Sequence, residues 1–61
     1  MEFGDKVKQV RMKLKLSQTE MAKELDVAYS TLNRWENGKF KPNYDAIKKF
    51  EEFCEVKGIR L

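Results

Sequence analysis

The amino-acid sequence predicts an all-α fold, a compact bundle of four or five short helices. Apolar residues recur at helical spacing along the chain, and no long stretch alternates between apolar and polar residues. The 61 residues suffice for one small domain, which we assign to residues 1–61, and the hydrophobic content of 41% suffices for a helical core.

The first two predicted helices are separated by a capping signal. The first covers residues 3 to 14, where a narrow apolar stripe is formed by Phe3, Val7, Val10 and Leu14. The second begins at Gln18, because Ser17 and Glu20 have the spacing of a capping box, in which each side chain accepts from the other residue's backbone amide. It should stop near Asp26, and its buried side consists of Met21, Ala22 and Leu25.

The third helix is predicted to run from Tyr29 to Asn37, with one apolar and one polar face. Leu32 and Trp35 lie about one turn apart and should face inward, with Val27 beside them. Residues at positions i, i+1, i+4, i+5 and i+8 share the opposite face, namely Tyr29, Ser30, Asn33, Arg34 and Asn37. Gly38 can take the positive φ that commonly follows a helix.

A fourth helix should follow the basic loop from Lys39 to Pro42, with Asn43 as its N-terminal cap. Its predicted buried side consists of Ala46, Ile47, Phe50, Phe53 and Cys54. Gly58 is expected to end this helix, so that Ile59 and Leu61 either fold back or remain loose. Phe40 is expected to pack against the domain.

The net charge of +3 is modest, but the charges are unevenly distributed along the chain. Residues 6 to 15 contain no acid, and their basic side chains are Lys6, Lys8, Arg11, Lys13 and Lys15. Glu51, Glu52 and Glu55 concentrate negative charge near the end. This asymmetry indicates a side that faces a polyanion, with an ordinary solvated lysine-rich surface as the alternative.

Composition excludes several classes of function. Cys54 is the single cysteine and no histidine is present, which excludes an internal disulfide and a conventional zinc site. The sequence offers no nucleophile with a base and no phosphate-cradling glycine loop, so we expect neither an enzyme nor a cofactor. No apolar run reaches membrane-spanning length, and no signal-peptide core is present. Since a lone thiol also suits a reducing compartment, we expect a cytoplasmic protein that binds no membrane and no metal.

The stretch from Leu16 to Pro42 is typical of a helix-turn-helix, two short helices joined by a tight turn. It contains S-Q-x-x-x-A-x-x-L at Ser17–Leu25 and L-x-x-W-E-N-G-K at Leu32–Lys39. With these motifs, residues 5 to 56 resemble the Cro/repressor-type (XRE-like) helix-turn-helix DNA-binding domains of phage repressors. The resemblance implies a lambda-repressor-like fold and a transcriptional repressor or regulator of phage or bacterial type. Its expected partner is double-stranded DNA, read by a recognition helix in the major groove.

The resemblance also implies a role for individual residues. The base-reading residues would be Tyr29, Ser30, Asn33 and Arg34. The phosphate-binding residues would be Ser17, Gln18, Asn37, Lys39 and Lys41. The structural residues would be Arg11, Ala22, Leu25, Leu32, Trp35, Glu36 and Gly38. Among them, Arg11 is expected to bond Glu36, and Gln18 to grip the DNA backbone and brace a side chain of the recognition helix.

Two departures from the family accompany these expectations. Asp26 stands where the family usually has glycine, and aspartate tolerates the left-handed conformation better than most residues. Longer relatives often dimerise through a fifth helix. A homodimer on a palindromic operator would here use the fourth helix with Phe50, Phe53, Ile59 or Leu61, or form only on DNA.

Two other functions fit the same motifs. The chain could be the DNA-targeting domain of a larger DNA-modifying enzyme or of an antitoxin. It could also be a helical protein-interaction domain that has lost DNA binding, although such a surface would normally expose aromatic or aliphatic residues.

Overall fold

The computed structural model describes residues 2–38 and 41–60. Within these ranges the chain forms α1 (Phe3–Lys13), α2 (Gln18–Leu25), α3 (Tyr29–Glu36) and α4 (Tyr44–Val56), and neither a strand nor a fifth helix is present. The predictions of an all-α fold and of the helix positions are confirmed. In the same ranges no helix is long and apolar enough to cross a membrane.

The helix ends follow local sequence signals. Ser17 Oγ accepts from the Glu20 amide at 3.0 Å, and Glu20 Oε1 accepts from the Ser17 amide at 2.8 Å, so the predicted capping box starts α2. Asn43 Oδ1 likewise accepts from the Ala46 amide at 2.9 Å and starts α4. After α3, Gly38 takes the predicted positive φ, 72°.

The turn between α2 and α3 is made by Asp26 in the left-handed conformation, with φ 58° and ψ 47°. Its amide lies 3.1 Å from the Lys23 carbonyl oxygen, and its own carbonyl accepts from Lys49 Nζ at 3.0 Å. A lysine on α4 therefore supports the turn at the position where the family usually has glycine. The prediction that aspartate can replace glycine there is confirmed.

All four helices contribute to a single core. Its buried residues are Val7, Val10, Met21, Ala22, Leu25, Leu32, Trp35, Ala46, Phe50, Phe53 and Cys54. Phe3 closes the core near the start of α1, with its ring edge-on to Trp35 at 5.2 Å and to Phe50 at 5.5 Å between centroids. Ile59 also packs against the core, so of the two alternatives stated for it, folding back is the one observed.

Four expectations, for α4, the loop before it and the chain end, need correction or lie outside the described residues. Ile47 is 37% exposed rather than buried, because it lies at the edge of the face defined by Ala46, Phe50 and Phe53. Phe50 and Phe53 are 2% and 7% exposed, so the expectation that they form a dimer contact is wrong: both belong to the core. Leu61 and Phe40 lie outside the described residues.

Candidate nucleic-acid interface

The helix-turn-helix is formed by α2 and α3, which contact each other across the turn at Asp26. Ala22 is 3% exposed, and its short side chain permits the close approach of the two helices. Leu25, Leu32 and Trp35 are also buried and fill the space around this contact. These residues determine how α3 is held and leave its other face to solvent.

The solvent-facing side of α3 is polar. Tyr29 is 52% exposed, and Ser30, Arg34 and the following Asn37 are exposed as well. Asn33 differs from them because it is half-buried and bonded on both sides of its amide. The residues named for base reading thus lie on one helix face, as their spacing requires, but only three of them are freely accessible.

An ion pair joins α1 to the end of α3. Arg11 donates from Nε to Glu36 Oε2 at 2.7 Å and from Nη2 to Oε1 at 3.0 Å, a bidentate arrangement. The side chains are 17% and 4% exposed, and the hydrogen bond to Glu36 raises the pKa of Arg11. Arg11 Nη1 also donates to the Leu16 carbonyl at 3.0 Å, so one guanidinium fixes α1, the following loop and α3.

Gln18, the first residue of α2, connects this ion pair to the polar face of α3. Its Nε2 donates to Glu36 Oε1 at 3.2 Å, and its Oε1 accepts from Asn33 Nδ2 at 3.2 Å. Asn33 Oδ1 in turn accepts from Asn37 Nδ2 at 2.9 Å. Gln18 therefore braces a side chain of α3, as the resemblance implies, and keeps one Nε2 hydrogen for another partner.

The residues named for phosphate binding have different settings. The Ser17 hydroxyl is already used in the capping box, whereas Gln18 lies in the first turn of α2, where helix N–H groups lack intrahelical partners. Asn37 and Lys41 are exposed near the end of α3 and in the loop before α4. Lys39 lies outside the described residues.

Gly4 is a positioning residue that the sequence analysis did not identify. A Cβ on residue 4 would overlap the Trp35 carbonyl oxygen and would lie 3.2 Å from its carbonyl carbon and 3.4 Å from Glu36 Cα. The backbones of α1 and α3 therefore touch at this point. A glycine inside a helical pattern was the available signal, since such a glycine often marks a close approach.

The part of the chain that the structure describes holds no group of three or more His, Cys, Asp or Glu side chains able to bind a metal ion. The Cys54 thiol is buried in the core, and burial raises its pKa. Its protonated form is therefore favoured over the reactive thiolate.

Comparison with known proteins agrees with this geometry. The family model described as Helix-turn-helix matches residues 7–60. The chain is 36% identical over 56 residues to the HTH-type transcriptional activator BcrR of Enterococcus faecalis, a match that covers 92% of the chain and 28% of that relative. No solved structure matches the chain. The chain belongs to the XRE-type helix-turn-helix family of DNA-binding regulators.

Proposed function

We propose that the chain binds double-stranded DNA sequence-specifically, with α3 in the major groove, and that it serves as the DNA-binding domain of a transcriptional regulator. The observation that carries this proposal is the polar, solvent-facing side of α3. The helix is held in place by the ion pair between its last residue, Glu36, and Arg11 of α1. A helix of this kind can present side chains to base edges while the preceding helix contacts the backbone.

Arg34 is the strongest candidate for base recognition. It is exposed on α3, and its planar guanidinium can donate two hydrogen bonds to O6 and N7 of a guanine. Tyr29 and Ser30 lie one turn before it. Ser30 can donate or accept with little discrimination, and the Tyr29 ring can contact a thymine methyl group or a phosphate.

Phosphate contacts would hold α3 in register on both sides. At α2, the capping box uses the amides of Ser17 and Glu20 and leaves those of Gln18 and Thr19 as first-turn donors to a phosphate. The second Nε2 hydrogen of Gln18 could reach the same group. Beyond α3, Asn37, Lys39 and Lys41 would bind the backbone, which adds affinity without sequence information.

We further propose that two copies bind a palindromic operator, because a single helix reads only one short half-site. With Phe50 and Phe53 in the core, the side chains of α4 left for contact between copies include Tyr44, Ile47 and Val56, which are 74%, 37% and 82% exposed. In the other arrangement, the two copies associate only when both are bound to DNA. Light scattering across concentration, with and without duplex, separates the two.

The experiment that tests DNA binding is a salt titration with a random duplex. Each phosphate neutralised contributes a slope of about −0.9 to the logarithm of the binding constant against the logarithm of salt concentration. Lys39 and Lys41, the two cations proposed to neutralise phosphates, would together give a slope of about −1.8. A flat response, or no binding at low salt, would contradict the proposal and favour the protein-interaction alternative.

A further inference from the structure

We propose that Glu36 sets the donor–acceptor direction of a chain of hydrogen-bonded side-chain amides, formed by Gln18, Asn33 and Asn37, and that Asn33 is a positioning residue within it. This amide chain runs from the buried ion pair to the exposed end of α3. The meaning of the proposal for DNA recognition rests on the proposed function, but the amide chain itself can be tested without DNA.

The direction follows from the chemistry of the carboxylate. An ionised carboxylate only accepts hydrogen bonds, so Gln18 must turn its Nε2 towards Glu36 and its Oε1 towards Asn33. An amide oxygen also only accepts, so Asn33 must turn its Nδ2 towards Gln18 and its Oδ1 towards Asn37. Asn37 is then obliged to donate.

Glu36 is well suited to fix this direction because its carboxylate is itself held in place. Its side chain is 4% exposed, and Arg11 donates one bond to each of its oxygens, at 2.7 and 3.0 Å. Arg11 has no acceptor and cannot reverse its role. The order of donors is therefore set at the buried end and transmitted outward through Gln18.

The amide chain changes the role expected of Asn33. Bidentate recognition of adenine requires an amide that both donates and accepts at the base edge. In Asn33 one Nδ2 hydrogen is bonded to Gln18 and one Oδ1 lone pair accepts from Asn37, so the orientation of the amide is set by these two neighbours and only one donor and one acceptor position remain. Asn33 thus links the phosphate-side residue Gln18 to Asn37, and base reading falls to Tyr29, Ser30 and Arg34.

The test is the effect of Asn37→Asp on the unfolding equilibrium of the DNA-free protein in three backgrounds. Aspartate at residue 37 cannot donate to Asn33 Oδ1. Asn37→Asp should therefore raise the equilibrium constant of unfolding more in the otherwise native chain than in the Asn33→Ala background. The expected difference between the two increases is about fivefold, the equivalent of one ordinary hydrogen bond. Asn33→Ala retains Glu36, so repulsion between Glu36 and the new carboxylate is the same in both.

The third background, Gln18→Met, removes the amide that links Glu36 to Asn33. It changes no charge and keeps the ion pair of Arg11 and Glu36. Asn33 is then free to reverse its amide and donate to the new carboxylate, so Asn37→Asp should cost no more than in the Asn33→Ala background. Equal costs in all three backgrounds, or the smallest cost in the native chain, would overturn the proposal. Since no DNA is present, either result is independent of the salt titration that tests DNA binding.

Discussion

Gly4 of α1 lies directly against the backbone carbonyl of Trp35 in α3, so closely that a methyl group on residue 4 would overlap the carbonyl oxygen. The next residue of α3, Glu36, receives both hydrogen bonds of the Arg11 fork. Gly4 and Arg11 of α1 therefore determine where the end of α3 lies. The proposed interface depends on this support, although neither residue lies on it.

Gly4→Ala should destabilise the domain by about 2 kcal/mol, because the added methyl group must push α1 away from α3. Helix propensity alone predicts the opposite sign, since alanine is favoured over glycine in a helix by about 1 kcal/mol. Urea denaturation measures the difference. Gly38→Ala is the matched control: residue 38 has space for a methyl group but a φ of 72°, so it should lose about 1 kcal/mol from backbone strain alone. A stabilised Gly4→Ala protein would show that the helices are not in close contact.

Arg11→Met should cost about 3 kcal/mol, because it leaves the carboxylate of Glu36 buried without its cation. The double variant Arg11→Met, Glu36→Leu should recover at least half of that loss, since no uncompensated charge remains. Denaturant midpoints of the two variants and the native chain provide the comparison. A loss below about 1 kcal/mol for the single variant would mean that the pair behaves as an exposed salt bridge.

Glu20 should make the stability of the domain depend on pH. The pKa of the Glu20 carboxyl is lowered in the folded state, mainly by the hydrogen bond that it accepts from the backbone amide of Ser17 and to a smaller extent by its interaction with the Ser17 side chain. The stabilisation is therefore complete above the ordinary glutamate pKa of about 4.3 and is lost as the pH falls through the lowered folded value.

Glu20→Gln is the control for this effect, since glutamine can still accept from the Ser17 amide but does not titrate. The free energy of unfolding of the native chain, relative to this variant, should decrease from pH 6 to pH 3. A difference that stays constant over that interval would show that the Glu20 carboxylate adds no stability beyond that of a neutral cap.

The fold could be predicted because its signals are local. Ser17 and Glu20 mark the start of α2, Asn43 marks the start of α4, and helical spacing identifies most of the core. Helical spacing places Ile47 on the buried side because a periodic pattern identifies the centre of a helix face but not its edges. How far each helix turns its stripe towards the others is a property of the packed bundle, which a single-helix pattern does not contain.

The candidate site could be predicted only in part. The polar face of α3 is predicted from the spacing of its residues. The bond between Arg11 and Glu36 is predicted from the resemblance to the family and is present in the structure. The contact of Gly4 with α3 and the bonds of Asn33 to Gln18 and Asn37 depend on how separate helices meet. The DNA contacts of Tyr29, Ser30 and Arg34 stay predictions.

The central claim is that α3 reads DNA through Arg34 while the loop after it holds the backbone. Selection of preferred duplexes from a random pool supplies the ligand for the test. Lys41→Ala, the matched variant of a proposed phosphate contact, should weaken binding to every duplex alike and reduce the salt slope by about 1.

The decisive measurement is the ratio of the affinity for the selected duplex to that for a random duplex, in the native chain and in Arg34→Ala. We expect Arg34→Ala to lower the affinity for the selected duplex by about 1–3 kcal/mol and to relax the preference at one base pair, with a much smaller effect on random DNA. An unchanged ratio in Arg34→Ala would contradict the assignment of α3 as the reading helix.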